Sequence, residues 1–242
     1  MLNQIANSSG DKQRLNKQVV ISGLPVKNAK RQSNIKKVTG EHVVFLDGIK
    51  QLITDNTKKY HLVDIGCGSG DSLIAIADWA RENHYNVHLT GVDIDKKAIS
   101  CLNHRTEGYP EIIGVNADFQ DFLDRTNNID IVHSSLFCHH FSDEEFFKLF
   151  FYLRQHVNIG FIMNDLHRSW LAFICAWTMA RIFKVGFKIG NNGPQSVLKG
   201  YKAFELKELL LYARIMNYSL KRTWYFRYSV VGKTNKNDAW AA

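Results

Sequence analysis

Residues 64–70 read Asp-Ile-Gly-Cys-Gly-Ser-Gly, and this glycine-rich turn constrains the fold more than any other segment. An apolar run at 60–65 precedes it, and an amphipathic segment at 72–83 follows it. A short apolar run is typical of a buried parallel strand, and glycine permits a sharp turn with close approach of a ligand. The segment therefore predicts a strand–turn–helix unit of an α/β domain, with a ligand held at the turn.

The alternation of apolar runs and amphipathic segments continues along the chain. Further strands are predicted at 87–92, 111–117, 129–135, 159–165, 218–225 and 227–232, and further helices at 41–54, 95–105, 143–156, 167–183 and 201–216. Alternating strands and helices imply right-handed crossovers and a mostly parallel sheet. We expect an α/β fold with seven strands, helices on both faces, an antiparallel end and a helical insertion after the fifth strand.

The positive charge of the chain is concentrated at its N-terminus. Residues 1–40 contain eight Lys or Arg and one acid, whereas the rest of the chain has 23 basic and 22 acidic side chains. The sequence thus predicts a basic arm at 1–40 and one nearly neutral domain at 41–242. Such an arm can bind nucleic acid or an anionic membrane surface, and a solvated, disordered tail is the alternative interpretation.

Cysteine spacing and hydropathy exclude several classes of protein. The four cysteines are far apart and form no CxxC pair, so neither a zinc framework nor a disulfide scaffold is expected. The histidines near residue 139 crowd one segment, which disfavours any metal site. The most apolar stretch, 170–180, is shorter than the ~20 residues of a membrane span, and no signal peptide is evident. We expect a cytoplasmic protein without a transmembrane segment or metal.

Acidic residues follow the second and third predicted strands. Asp93 stands at the end of the second strand in GVDID, and Asp118 follows the third strand in NADF. A carboxylate after the second strand accepts both hydroxyls of a ribose in dinucleotide folds. Asp118 can accept from an exocyclic amine, and Ile94 and Phe119 can pack against an adenine ring. The G-x-G-x-G spacing differs from the dinucleotide fingerprint, and Gly-Asp-Ser after the turn differs from the Walker loop, which excludes a nucleoside triphosphate.

With these residues in place, the sequence resembles the class I methyltransferases that use S-adenosylmethionine. The D-x-G-x-G-x-G loop and the acids of GVDID and NADF match the first three motifs of that superfamily in order, and the resemblance spans about residues 60–232. It implies a Rossmann-like fold, with S-adenosylmethionine as the methyl donor and S-adenosylhomocysteine as the product. The resemblance assigns the donor to the following residues: Asp64, Gly66, Gly68 and Gly70 for the methionine part, Asp93 and Ile94 for the ribose and adenine, Asp118 and Phe119 for the adenine, and Ser134 at the end of strand four.

A finer similarity concerns the acceptor. The chain resembles the small-molecule branch that contains ubiquinone- and menaquinone-type enzymes. Its segments NDLHRSW and GPQSVLKGY are similar to those of bacterial methyltransferases associated with type III polyketide and aryl-pigment pathways. The similarity implies an aromatic, polyketide-like or lipid-like small molecule as substrate.

The ends of strands four and five are expected to face the methyl donor, because ligands bind outside the carboxyl ends of such strands. A phenol, with a pKa of ~10, gains from a general base, and histidine, with a pKa of ~6.5, can serve. His140 and His167 are the candidate bases, and Asp165 is a candidate to orient His167. A capping role for His140 and a salt bridge from Asp165 to Arg168 are the alternatives.

The apolar segment 170–187 follows strand five. We expect a lid at about 167–200 that lines the acceptor pocket, with plain core packing or a dimer contact as alternatives. The chain is accordingly predicted to be a monomer or a homodimer.

Three functions compete at this stage. The first is methyl transfer to a small molecule, with a hydroxyl oxygen favoured over carbon. The second is methylation of RNA or DNA guided by the basic arm, and strand four argues against it by ending in HSSL where base-amine methyltransferases have NPPY or DPPY. The nearly neutral body also offers no phosphate track. The third is a donor-binding module without catalysis.

Overall fold

A computed structural model describes residues 41–138, 141–168, 201–223 and 227–234 of the 242-residue chain. Within these ranges the strands are β1 Lys59–Ile65, β2 Asn86–Asp93, β3 Ile112–Asn116, β4 Ile129–Ser135, β5 Val157–Leu166, β6 Tyr218–Thr223 and β7 Arg227–Lys233. They form one sheet in the order β3-β2-β1-β4-β5-β7-β6. Strands β1 to β5 pair in parallel, and β7 pairs antiparallel with both β5 and β6. The predicted seven-stranded, mostly parallel sheet is therefore confirmed.

Helices cover both faces of this sheet, as predicted. The described helices are α1 Glu41–Leu52, α2 Asp71–Glu82, α3 Lys96–Arg105, α4 Phe119–Arg125, α5 Asp143–His156 and α6 Ala203–Tyr212. Ile49, Leu73 and Leu102 of the first three helices share one buried cluster with one face of the sheet. Leu123 and Phe150 represent the next two helices in a second cluster on the opposite face. None of the described helices has the length and apolar character needed to cross a membrane.

The helix α4 was not predicted from the sequence, in which the fourth strand was expected to follow the third without a helix between them. It has seven residues and is capped by Asp118, whose Oδ1 accepts a hydrogen bond of 2.8 Å from the backbone N–H of Gln120. Two turns are too short to show a helical period, so the one local signal was the aspartate in a preferred N-cap position.

The predicted helix at 167–183 also needs a correction at its start. His167 forms an isolated bridge with Tyr201, and the backbone N–H of Arg168 donates to the carbonyl oxygen of Tyr201 at 3.3 Å. The chain is thus extended at 167–168, because it pairs there with the segment that leads into α6. The rest of the predicted helix, the lid and the arm at 1–40 lie outside the described residues.

The strand order positions the site. β1 lies between β2 and β4, so the connections that leave β1 and β4 run to opposite sides of the sheet. This reversal is the topological switch point at which open α/β sheets bind ligands, outside the carboxyl ends of the strands. The glycine-rich turn follows β1 directly and therefore lies at that point.

Candidate active site

The glycine turn adopts a backbone that side chains oppose. Gly66, Gly68 and Gly70 have φ of 69°, 54° and 80°. The N–H groups of Gly66 and Cys67 donate to the carbonyl oxygen of Val92 at 2.9 and 3.2 Å, which ties the turn to the end of β2. A Cβ on Gly66 would lie 2.4 Å from Phe137 Cδ2, whereas a Cβ on Gly68 would meet no atom within 4 Å. The turn is thus tightly packed below Gly66 and open at Gly68.

An arginine that the sequence analysis did not single out braces the turn from outside. Arg105 Nη1 donates to the carbonyl oxygen and to Oγ of Ser69 at 2.7 and 2.9 Å. Its Nη2 donates to Asp71 Oδ1 at 2.6 Å, and Asp71 is buried. The guanidinium therefore neutralises the buried carboxylate at the start of α2 while it holds the carbonyl of the turn. Arg105 is the last residue of α3, so only the tertiary fold brings it to the turn.

Asp93 connects the glycine turn to the second strand end. Its Oδ2 accepts from the N–H of Gly68 and its Oδ1 from the N–H of Asp95, both at 2.9 Å. Burial raises the pKa of the Asp93 carboxyl, the two backbone hydrogen bonds oppose that rise, and the nearby carboxylates of Asp95 and Asp64 add to it. Each oxygen of a carboxylate has two lone pairs, so both oxygens keep acceptor capacity.

The segment after Asp93 is fixed by an amide that sequence reasoning missed. Asn116 Nδ2 donates to the carbonyl oxygens of Asp93 and Ile94, both at 2.9 Å. Ile94 has 45% of its surface exposed beside this turn. An exposed apolar side chain on a fixed turn provides a flat surface for a ring.

Asp118 and Phe119, which were predicted to contact the adenine, both make contacts within the protein. Asp118 uses Oδ1 to cap α4, so that oxygen is bonded within the protein. Phe119 is largely buried and packs edge-on against Phe137, with ring centroids 6.0 Å apart at 89°, and against Phe141 at 5.6 Å. The aromatic cluster of these three rings supports the turn at Gly66 from below.

Asp64 and His133 form a buried pair that the sequence did not predict. His133 Nδ1 donates to Asp64 Oδ1 at 2.8 Å, and both residues are at most 3% exposed. The ring of Phe45 on α1 lies 4.9 Å from the imidazole. His133 Nε2 is buried without a hydrogen-bond partner. One oxygen of the predicted donor residue Asp64 is therefore committed to an imidazole on the neighbouring strand.

Ser134 and the residues that follow it close the end of β4. Ser134 is buried, and its hydroxyl lies 3.7 Å from Cys138 Sγ. Burial raises the pKa of the Cys138 thiol well above its ordinary value, and the Asp165 carboxylate adds to this rise. Leu136 has a φ of 54°, and its N–H donates to the carbonyl oxygen of Asn164 at 2.9 Å. This left-handed backbone is uncommon for a non-glycine residue and is held here by the hydrogen bond to β5.

The end of β5 carries polar groups without partners. Asn164 is 2% exposed, and neither its Nδ2 nor its Oδ1 has a hydrogen-bond partner. His167 Nδ1 is also buried and unpartnered, and its ring lies edge-on to Tyr228 at 4.8 Å. Burial lowers the pKa of His167, and the cations Arg222 and Lys202 lower it further. Both effects favour the neutral form of the His167 imidazole.

Asp165 lies on the other side of β5 from Asn164, in a small recess. Apolar and aromatic side chains of α5, α6 and β7 line most of this recess: Phe146, Leu206, Tyr228 and Val230. Tyr201 donates its hydroxyl to the carbonyl oxygen of Phe141 at 3.1 Å, and burial raises its pKa. Arg168 forms an ion pair with Glu205.

Two further predictions from the sequence concern His140 and metal ions. His140, the other candidate base, lies outside the described residues. Within the described ranges, no three side chains of His, Cys, Asp or Glu are grouped so as to hold a metal ion.

Residues 62–160 match a family model described as "Methyltransferase domain". This segment is a methyltransferase domain. It runs from β1 into β5 and contains the glycine turn, Asp93, Asp118 and His133. The family uses S-adenosylmethionine, so the predicted class I family and methyl donor are confirmed for the domain.

Solved structures with the same fold include the plantazolicin methyltransferase BpumL in complex with S-adenosylhomocysteine. It is 16% identical, with a TM-score of 0.61, and the match covers 94% of this chain and 92% of that one. Magnesium protoporphyrin IX methyltransferase (ChlM) from Synechocystis PCC 6803 is 14% identical, with a TM-score of 0.55, covering 94% and 95%. The CMeT domain of the citrinin polyketide synthase is 10% identical, with a TM-score of 0.60, covering 88% and 58%.

Proposed function

We propose that the chain transfers a methyl group from S-adenosylmethionine to a hydroxyl oxygen of a small aromatic or polyketide-like molecule. One observation carries the donor half of this proposal. The Asp93 carboxylate accepts a hydrogen bond of 2.9 Å from the N–H of Gly68, which joins the glycine turn to the acid that we assign to the ribose, at the switch point of the sheet.

The residues around the turn fit the proposed donor. The space at Gly68, where a Cβ would meet nothing within 4 Å, leaves room for the methionine part. Asp93 has acceptor capacity for two ribose hydroxyls, and the exposed Ile94 offers a surface to the adenine. Asp118 keeps its second oxygen for the exocyclic amine. The donor supplies the chemistry through a sulfonium that carries the methyl group, and these residues orient it.

The acceptor half rests on the ends of β4 and β5. Three side chains there, His133, Asn164 and His167, hold buried polar atoms without partners, and Leu136 is strained beside them. Polar groups of this kind are expected where a bound molecule completes the hydrogen bonding. The names of the similar structures, which refer to plantazolicin, a porphyrin and a polyketide, support an organic small molecule as acceptor.

A hydroxyl acceptor has to lose a proton during the transfer, so the site needs a base. His167 follows β5 directly, its Nδ1 is buried without a partner, and its lowered pKa favours the neutral form that a base needs. It stays a candidate, with Asp165 two positions before it in sequence. Methyl transfer otherwise requires that the nucleophile be held in line with the donor and that water be excluded. The predicted monomer or homodimer and the predicted cytoplasmic location stay predictions.

Incubation of the purified protein with isotope-labelled S-adenosylmethionine and a panel of phenols, quinols and alkylated pyrones tests this proposal. We expect mass spectrometry to find the label as a methyl ether on at least one acceptor. Label on carbon would contradict the oxygen assignment. Label on added RNA or DNA, with binding that falls steeply as salt is raised, would contradict the small-molecule assignment.

A further inference from the structure

The face of the sheet beneath α1 changes from apolar to polar near the strand ends. Side chains alternate along a strand, so residues 131 and 133 of β4 share one face, as do residues 162 and 164 of β5. Ile131 and Ile162 pack in the same cluster as α1. One step further toward the carboxyl ends, the same face carries four buried polar residues: Asp64, His133, Asn164 and Ser229.

Two of these residues lack the partners that burial demands. Asp64 accepts from His133 Nδ1, but His133 Nε2 and both polar atoms of the Asn164 amide have none. Buried polar groups in folded proteins are nearly always bonded, because an unmet group loses its hydration without compensation. The structure therefore has two neighbouring polar side chains that a ligand would complete.

The geometry of the imidazole brings these atoms together. The two ring nitrogens point in nearly opposite directions, so a ring whose Nδ1 turns toward β1 turns its Nε2 toward β5. On β5 the register partner of His133 is Ile162, and Asn164 follows two residues later on the same face. A group that donates to Nε2 and accepts from an amide N–H would satisfy both side chains. A hydroxyl does both.

We propose that His133 and Asn164 bind the hydroxyl of the methyl acceptor and that His133 is the base of the transfer, an inference that rests on the proposed function. Asn164 Nδ2 donates to the hydroxyl oxygen, and the hydroxyl donates to His133 Nε2. The oxygen then forms a bond to the methyl carbon while the carbon–sulfur bond breaks and its electron pair stays on sulfur. The hydroxyl proton moves to Nε2, and the resulting imidazolium is paired with the Asp64 carboxylate.

The surroundings of the two histidines favour His133 over His167 as the base. A base must become a cation, and His133 is bonded to the carboxylate of Asp64, which stabilises that cation. His167 is near the cations Arg222 and Lys202, which oppose its protonation. The Asp64 bond also fixes the tautomer of His133, because it requires the proton on Nδ1 and leaves Nε2 as the acceptor.

The burial of the pair has a consequence for access. A hydroxyl held there is out of water, as methyl transfer requires. The ring of Phe45 packs against the imidazole, so this side chain has to move for the acceptor to enter. The base is thus exposed only when an acceptor displaces this ring.

A binding experiment with 4-nitrophenol tests the inference, because the phenolate of this probe absorbs at a longer wavelength than the phenol. The protein is first saturated with S-adenosylhomocysteine, and the probe is titrated in at a pH one unit below its own pKa. We expect bound probe in the phenolate form with the wild-type protein. His133→Gln, which keeps a donor for Asp64, is expected to lose the phenolate signal, and Asn164→Leu to weaken binding at least tenfold.

Matched variants separate the possible results. His167→Gln tests the rival base, and His104→Gln replaces an exposed histidine on α3; both are expected to keep the phenolate signal. Loss of the signal in His167→Gln with retention in His133→Gln would overturn the inference, as would a probe that stays neutral or unbound in the wild type. With the best acceptor of the panel, His133→Gln is expected to lower kcat about a hundredfold while the KM for the donor is unchanged.

Calorimetry distinguishes this inference from the proposed function. S-adenosylhomocysteine is expected to bind the wild type, His133→Gln and Asn164→Leu with affinities within about twofold. If the wild type fails to bind it, the proposed function fails. If it binds and the probe result is negative, only the hydroxyl site is wrong.

Discussion

The two halves of the sheet edge differ in how their polar groups are satisfied. At the ends of β1 and β2, Asp93 accepts two backbone N–H groups and Arg105 is bonded to the turn and to Asp71. At the ends of β4 and β5 the reverse holds. Among the described residues, five buried side-chain atoms lack partners, and four of them belong to His133, Asn164 and His167.

This difference indicates two kinds of binding. We call the ends of β1 and β2 the donor half and the ends of β4 and β5 the acceptor half. In the donor half the Asp93 carboxylate and the glycine turn are already held in position, and such preorganisation lowers the cost of binding. The acceptor half keeps unmet hydrogen-bonding groups that each cost about 1–3 kcal/mol unless a ligand satisfies them. On the proposed function, the domain thus combines a preformed site for the donor with a site whose hydrogen bonding the acceptor completes.

The largest expected effect is on the donor half, from Gly66→Ala. The new Cβ would lie 2.4 Å from the ring of Phe137 at a φ of 69°, so the turn and the aromatic cluster must both shift. We expect a loss of about 2–4 kcal/mol in the free energy of unfolding, measured by denaturant titration, and no detectable donor binding. Gly108→Ala, where a Cβ meets nothing within 4 Å, is the control. Equal stability of the two variants would contradict the strained turn.

The brace outside the turn is expected to have the second largest effect. Arg105→Met leaves the buried Asp71 carboxylate without its guanidinium, which we expect to cost about 2 kcal/mol and to weaken donor binding. Arg81→Met, which breaks the more exposed pair with Glu111, is the control and is expected to cost less than about 1 kcal/mol. Chemical denaturation measures both. A larger cost at Arg81 would show that the turn needs no brace.

A pair of asparagines contrasts the two halves directly. Asn164→Leu replaces an unbonded buried amide by an apolar side chain of similar size, and we expect the stability to stay equal or to rise by up to about 1 kcal/mol. Asn116→Leu removes two hydrogen bonds to backbone carbonyls on the donor half and is expected to cost about 1 kcal/mol. Thermal unfolding compares them. If Asn164→Leu destabilised the protein as much as Asn116→Leu, the claim that the Asn164 amide has no hydrogen-bond partner would be contradicted.

The smallest expected effect concerns thiol chemistry. Burial raises the pKa of Cys67 in the turn, with the Asp64 and Asp93 carboxylates adding to it, and burial also raises the pKa of Cys138. A raised pKa leaves less thiolate at a given pH, so iodoacetamide at pH 8 is expected to modify the partly exposed Cys101 before Cys67 and Cys138. Peptide mapping over time measures the rates. Saturating S-adenosylhomocysteine is expected to slow the modification of Cys67 and not that of Cys138. Equal protection of both thiols would contradict the assignment of the donor to the ends of β1 and β2.

The positions of the glycine turn and of Asp93 at neighbouring strand ends could be predicted from the sequence, because their signals are local. The spacing of the three glycines, and acids such as Asp93 directly after apolar runs, require only that each run be a strand, and the boundaries of β4 and α5 match their predicted residues. The helix α4 was missed because seven residues show no period. The aspartate that marks its start was assigned to the adenine alone.

The acceptor half could not be predicted to the same extent, because its features depend on register between distant strands. The pair of Asp64 and His133 joins residues 69 positions apart, and the sequence shows His133 only as one histidine among several. The burial of Asn164 likewise follows from its position between β4 and β7 and from the cover of α1. Neither hydropathy nor spacing reports which polar atoms remain without a partner.

Calorimetric titration of S-adenosylhomocysteine into the wild type and into Asp93→Ala tests the central claim, that the glycine turn and Asp93 hold the donor. We predict binding by the wild type and at least a tenfold loss of affinity in Asp93→Ala, because two charged hydrogen bonds to the ribose are removed. Asp47→Ala, which changes an exposed acid on α1, is expected to bind as the wild type does. Equal affinity of the wild type and a folded Asp93→Ala would contradict the account.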